Sequence, residues 1–311
     1  VLECLVEVVP SLRAAVQPFA EAMFDRCVAL LQQQMQLRQR AADGSPEYDT
    51  DLVVCALDAV GALTEALGAS VESLAARVQL REFIFLACAD AAPEVRQSGF
   101  ALMGDLTKAC PSHLLPLLHR CLELCCAALQ HEQLSPDSIR ACTNACWSIG
   151  ELVMRAPADQ TERLALPLLQ VIAPLLSMRT SVSKGLLQNA AIALGRLALR
   201  CPQPLAPHVQ SFAEPWCNAL RRARDDVEKE HAFGGLCALV RLNPMAVLPA
   251  FVPLCSAFAS WRMLRDEELH RSMSEILRGY QAHLPAEQWE AAWGLLEPVV
   301  REKVQTWFLA Q

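Results

Sequence analysis

The feature that most limits what this chain can fold into is a pattern that returns every forty-odd residues. "VVCALDAVGALTEALG", "RQSGFALMGDLTKACP", "CTNACWSIGELVMRAP" and "LQNAAIALGRLALRCP" align on Gly61, Gly104, Gly150 and Gly195, at spacings of 43, 46 and 45 residues. A fifth copy, "EKEHAFGGLCALVRLNP", puts Cys237 in the anchor place, 42 residues further on. Between the copies lie second amphipathic stretches: "PFAEAMFDRCVALLQQQM", "ESLAARVQLREFIFLAC", "HLLPLLHRCLELCCAAL" and "ERLALPLLQVIAPLLS".

Two helices per unit at a period of roughly 40–47 residues is the pattern of HEAT or armadillo arrays. The expected fold is therefore all-α, a HEAT-repeat α-solenoid of superhelical helix pairs, with six to seven repeats over residues 1–311. Each repeat reads as helix A, a short turn, helix B, and a closing turn at Pro111, Pro157, Pro202 or Pro244. "QRAADGSPEYDT" (39–50) reads as a loop, and "RRARDDVEKE" (221–230) as a solvated turn and helix start. Beyond residue 260 the period fades. Residues 262–311, ending in "PAEQWEAAWGLLEPVVREKVQTWFLA", read as terminal capping helices, which are atypical in such arrays.

Composition agrees. Leu and Ala dominate and aromatics are only 6%, which favours helices over strands. No apolar run approaches the ~18 residues of a membrane span, so no membrane partner is expected. No signal peptide is found, and the start, "VLECLVEVVP", reads as the interior of a helical array, so a fragment is expected. A net charge of −7 argues against nucleic acid and permits a basic partner. The fourteen cysteines include no C-x-x-C, and most lie on apolar helical stretches. They read as reduced, buried thiols rather than zinc ligands. No phosphate-cradling loop, nucleophile elbow or H-E-x-x-H is present, so neither a cofactor nor an enzyme is expected.

The B-helix register separates two faces. Counted from each anchor, positions −5, −4, −1 and +2 are apolar or small in all four glycine-anchored copies, as a core stripe requires. Positions −6, −3 and +1 make another face: Cys55, Asp58, Ala62; Ser98, Ala101, Asp105; Asn144, Trp147, Glu151; Asn189, Ile192, Arg196. In a solenoid this face lines a continuous concave surface. Trp147 is then expected on a groove, with Ile192 at the same level of the next B helix and carboxylates on the preceding ones. Such a surface suits an extended basic peptide, through apolar anchoring, cation–π contact and charge-assisted hydrogen bonds.

"PEVRQSGFALMGDLTKAC" (93–110), "LLQNAAIALGRLALRCPQ" (186–203) and "RARDDVEKEHAFGGLC" (222–237) resemble the C-terminal HEAT repeats of the karyopherin-β2 type of nuclear import receptor, as do "PFAEAMFDRCV", "FAEPWCNALR" and "NACWSIGE". The resemblance covers essentially the whole chain. It implies a receptor that shuttles between cytoplasm and nucleus and carries cargo with disordered localisation signals, RNA-binding proteins among them. In that family a basic or hydrophobic N-terminal epitope precedes an Arg and a Pro-Tyr pair, whose sites lie largely in earlier repeats. Carried over by motif, Trp147 and Ile192 would form the apolar platform. Asn144 and Asn189 would bond the peptide backbone. Asp58, Glu65 and Asp105 would meet basic epitopes, with Val54 beside Asp58. Glu65 and Val54 rest on the resemblance alone. The resemblance also implies contact with Phe-Gly nucleoporins and release by the GTPase Ran, through repeats absent from this chain. Where the family tends to have two asparagines before the Trp, this chain has Thr143 and Asn144. The alternative is a HEAT-repeat scaffold or regulatory subunit that binds partners by its turns or convex face.

Overall fold

The computed structural model describes residues 2–41, 48–130, 134–178 and 183–310, and among them every regular element is helical. The chain forms two compact units, residues 1–156 and 157–311. Most of the expected 39–50 loop, residues 42–47, lies outside the described residues, while the preceding helix runs on to Ala41.

The first unit contains α1 (Leu2–Leu12), α2 (Gln17–Ala41), α3 (Thr50–Leu67), α4 (Leu80–Cys88), α5 (Pro93–Ala109), α6 (Leu118–Ala128) and α7 (Ile139–Arg155). Helices α2, α4 and α6 pack in turn on α3, α5 and α7, giving three A/B pairs. The B helices α3, α5 and α7 lie side by side, with α1 ahead of α3 in the same row. The second unit contains α8 (Ala158–Ser177), α9 (Lys184–Arg200), α10 (Ala213–Leu220), α11 (Val227–Leu242), α12 (Phe251–Phe258), α13 (Glu267–His283), α14 (Ala286–Gly294) and α15 (Pro298–Val304). Here α9, α11 and α13 form the B row, α8 packs on α9, and α10 packs on α9 and α12.

The repeat holds at the level of single residues. Ala56, Leu57, Val60 and Leu63 of α3 are fully buried, as are Phe100, Met103 and Leu106 of α5, Ala145, Cys146, Ile149 and Leu152 of α7, and Ala190, Ala191, Leu194 and Leu197 of α9. With Cys237 as anchor, the same positions of α11 (Ala232, Phe233, Leu236, Leu239) are fully buried too. Three B helices end alike. Cys110, Cys201 and Asn243 each precede a proline and sit at φ −140 to −146° and ψ 66 to 74°, the extended conformation that a following proline ring imposes. Each donates its N–H to the carbonyl four residues back, from Leu106, Leu197 and Leu239.

Neighbouring B helices approach closely where a side chain is missing. A Cβ on Gly235 of α11 would stand 1.9 Å from the Gly195 carbonyl oxygen of α9, and one on Gly195 would stand 2.3 Å from Ala232 Cα. Only glycine permits that crossing, which explains glycines placed inside helices at a propensity cost of about 1 kcal/mol each.

Several expectations need correction. The A helix read over "ESLAARVQLREFIFLAC" is a short turn of helix at Glu72–Ala75 and then α4 from Leu80. The next begins only at Leu118, after two 3-10 turns that start at Pro111 and Leu115. Pro116 has no N–H to extend a helix leftward through this segment. Thr50–Ala75 is, by length and composition, apolar enough to cross a membrane, contrary to the reading above. Half of its apolar window is buried, and α1, α2 and α5 pack on its α3 portion, as on a core helix. Eleven of the fourteen cysteines are buried and all are free thiols. Burial holds Cys27 at about 11 and Cys121 at about 12, so both stay protonated and inert.

The charge run 221–230 is a turn and helix start, but it is not all solvated. Asp226 caps α11 by accepting from the Glu228 and Lys229 amides, both at 3.0 Å. Lys229 itself is 1% exposed. Its Nζ lies 2.8 Å from Asp225 Oδ1 and 4.4 Å from the centroid of the buried Trp261 ring. The other Asp225 oxygen accepts from the Arg262 amide at 2.8 Å, so the pair also pins the segment leading to α13. Burial lowers the Lys229 pKa, and Asp225 opposes that shift. Lys229→Ala is expected to destabilise the chain by about 3 kcal/mol in urea unfolding, since it strands Asp225 and removes the ammonium from the Trp261 ring. Arg221→Ala, on the exposed part of the same run, is expected to stay within about 0.5 kcal/mol of the parent.

Candidate functional site

The second B-helix face is not an open wall. It is the side on which each B helix meets its neighbour in the row, and its members are buried to different depths. Asp58, Asp105, Asn144, Trp147 and Asn189 are half-buried, as is Val54. Glu65 is exposed, while Ile192 is 8% exposed and offers little surface. Glu151 and Arg196 are closed off and neutralised within the chain. Glu151 accepts from Arg155 Nη1 at 2.6 Å, and Arg196 Nη2 donates to Glu228 at 3.2 Å.

Trp147 rests on α5. A Cβ on Gly104 would stand 2.1 Å from Trp147 Cζ3, so the indole lies flush against the bare backbone of the preceding B helix. Two side-chain bonds fix α7 to α5 on either side of the ring. Asn144 Nδ2 donates to the Gln97 carbonyl at 3.0 Å, and Ser148 Oγ donates to the Phe100 carbonyl at 2.6 Å. One N–H of the Asn144 amide serves the α5 contact, which leaves its second N–H and its Oδ1. Thr143, where the family tends to have asparagine, turns its hydroxyl back to the Ile139 carbonyl at 2.7 Å.

The three acidic residues do converge. Asp58 and Glu65 of α3 and Asp105 of α5 line one cleft of about 190 Å³, with Val6 and Pro10 of α1 as apolar wall and Leu57 and Leu102 beneath. Val54 lies one turn before Asp58 and outside this lining. Burial raises the Asp58 pKa, and the neighbouring Ser98 hydroxyl opposes the shift. Asp105 is pushed up to about 7, first by burial and then by the charge of Glu65, with Lys108 pulling the other way and Glu151 and Asp58 adding to the rise. The volume suits one long side chain: an aliphatic stem against Val6 and Pro10 and a cationic head among carboxylates. No group of three or more His, Cys, Asp or Glu side chains among the described residues is placed to hold a metal ion.

Sequence reasoning missed the α1 wall, because α1 precedes the first complete repeat and has no register to compare. It also missed Ser98 as the neighbour of Asp58 and Gly104 as the bed of Trp147, since both are contacts between helices.

Helices paired in this way, with glycine-anchored B helices in a row, make this a HEAT-repeat protein. No family model matches the chain. It is, however, homologous along nearly all its length to the transportins. It is 38% identical to transportin-1 of Oryza sativa subsp. japonica over 97% of the chain and 34% of that relative. With transportin-1 of Homo sapiens it shares 36% over 93% of the chain and 32% of the relative. With importin subunit beta-2 of Schizosaccharomyces pombe it shares 34% over 89% and 30%. The chain therefore spans about a third of the length of these relatives.

The Asp105 shift carries a sign for stability. Its folded pKa lies above the unfolded value of about 3.9, so the folded state holds a proton that the unfolded chain has released. Stability should fall as pH rises from about 4 to about 7 and level off above. Asp105→Asn is expected to stabilise the chain at pH 8 by about 2 kcal/mol, after allowing for partial exposure, and to change little at pH 4, as read by urea unfolding at the two pH values.

Proposed function

We propose that this chain is the cargo-binding array of a nuclear import receptor, and that it takes the N-terminal basic or hydrophobic epitope of a proline-tyrosine type localisation signal on its B helices. The observation that carries the reading is the succession α3, α5, α7. Three carboxylates converge on one small cleft, and one B helix further on a half-exposed indole lies on a bare helix backbone. The homology to transportins supports the same reading. So does the charge distribution, because the acid excess of the chain belongs to residues 1–156 while residues 157–311 are close to neutral. An acidic unit draws basic segments and raises their encounter rate.

In this reading the chemistry is binding only. Trp147 supplies the apolar anchor, and Ile192 adds the small surface it exposes. Asp58, Glu65 and Asp105 receive an Arg or Lys, while Asn144 and Asn189 meet the peptide backbone. Contacts spread over several repeats offset the ordering entropy of a disordered signal. The partners would be cargo proteins with such signals, RNA-binding proteins among them, together with Phe-Gly nucleoporins. Ran would be bound by repeats outside this stretch, and the receptor would shuttle between cytoplasm and nucleus.

A labelled signal peptide titrated into the chain tests the reading. Trp147→Ala is expected to weaken binding by about 2 kcal/mol, as removal of an aromatic hot spot does. A loss below about 0.5 kcal/mol would remove Trp147 from the site. Neutralising Asp58 and Asp105 together, or raising salt, should weaken a basic epitope more than a hydrophobic one. Equal weakening of both would count against the acidic cleft.

A further inference from the structure

We propose that Gly104 is the positioning residue for Trp147: the missing side chain at 104 is the seat that holds the indole where a peptide can use it. The inference rests on the binding role given to Trp147 above. Gly104 lies in the middle of α5, with helical neighbours on both sides and no left-handed backbone, so its conformation does not call for glycine. Space does. The Cβ of any other residue would fall 2.1 Å from Trp147 Cζ3, 2.6 Å from Cε3 and 2.9 Å from Cη2. The anchor one repeat earlier is under no such demand, since a Cβ on Gly61 would meet Asp105 Oδ2 at an ordinary 3.4 Å.

The helices cannot absorb an added methyl by moving apart. Asn144 and Ser148 clamp α7 to the Gln97 and Phe100 carbonyls of α5, one turn before the ring and one residue after it. Separation would break both bonds and leave the buried Ser148 hydroxyl without its acceptor. The indole is a side chain and can answer the added methyl by a change of its χ angles, with no backbone shift. Gly104→Ala should therefore tip the ring out of its seat and leave the helix row intact, with the gain in helix propensity from alanine partly offsetting the disturbance.

The test is a double-mutant cycle on the whole chain, with a labelled peptide bearing an apolar N-terminal epitope as probe. Fluorine NMR of fluorotryptophan-labelled protein is run alongside, with the Trp147 resonance assigned by Trp147→Phe. Gly104→Ala is expected to weaken the peptide at least tenfold and to shift the Trp147 resonance, with helicity kept. Gly104→Ala/Trp147→Ala should bind no more weakly than Trp147→Ala alone. Should Gly104→Ala by itself lose helicity, the double variant should regain it, because no ring is left for the methyl to meet. Gly279→Ala, a helical glycine with no atom within 4 Å of an added Cβ, should match the parent throughout. An unmoved resonance, a moved resonance with parental affinity, additive losses, or a double variant that stays unfolded would each overturn the proposal. If Trp147→Ala alone left binding unchanged, the peptide role of Trp147 would fail, while the resonance would still report on the seat.

Discussion

Everything in each unit depends on how closely one B helix can lie beside the next. The core stripe faces the A helices and is fully buried in every repeat, so it holds each pair together. The row of B helices is held by a second contact on a different face, and there the limiting factor is backbone approach. At Gly195 and Gly235 two helices nearly touch main chain to main chain. At Gly104 the approach is filled by a ring instead. The same anchor position thus either closes the row or leaves room for one large side chain, depending on what the following helix presents.

This explains why a face read as a groove wall turns out to be half-buried. Residues at −6, −3 and +1 stand between adjacent B helices, so their outer edges meet solvent and their stems meet the neighbour. Asn144 donates across to Gln97 and Asp58 shares a cleft with Ser98, while Trp147 lies across on Gly104. Such residues are rigid because they are partly structural. A binding surface built from them is organised before a ligand arrives, which lowers the entropy that binding must overcome.

The fold was legible because its signal is a one-dimensional pattern repeated five times. Period, core stripe and closing prolines all depend on local spacing, and Cys237 was found as an anchor even without a glycine. What escaped were contacts between residues far apart in sequence. Lys229 looks like one charge in a solvated run, yet it is buried because Trp261, thirty-two residues later, comes back over it. The break before α4 has no signal we can identify in "ESLAARVQLREFIFLAC", whereas the late start of α6 follows from Pro116. Of the candidate site, Asp58 and Asp105 were legible as a shared face, while Glu65 came only with the family resemblance. The burial of Ile192 was not legible, because register gives direction and not depth.

Depth also separates the charged residues at position +1 into two kinds. Position +1 carries Asp105, Glu151 and Arg196 in three successive copies. Glu151 and Arg196 are the more deeply buried, and each has an opposite charge supplied by the chain itself, from Arg155 and Glu228. Each charge is thus met by an opposite one within the folded protein. Asp105 makes no ion pair among the described residues and faces Glu65 and Asp58 instead, with only the field of Lys108 against them. A carboxylate kept near the edge of ionisation by burial first and by its acidic neighbours second is a cost to the fold, and a cation entering the cleft from outside would relieve it. Selection for stability alone would favour an internal partner at this position, as the next two repeats have. The unpaired arrangement at Asp105 makes physical sense where the missing charge arrives with something bound.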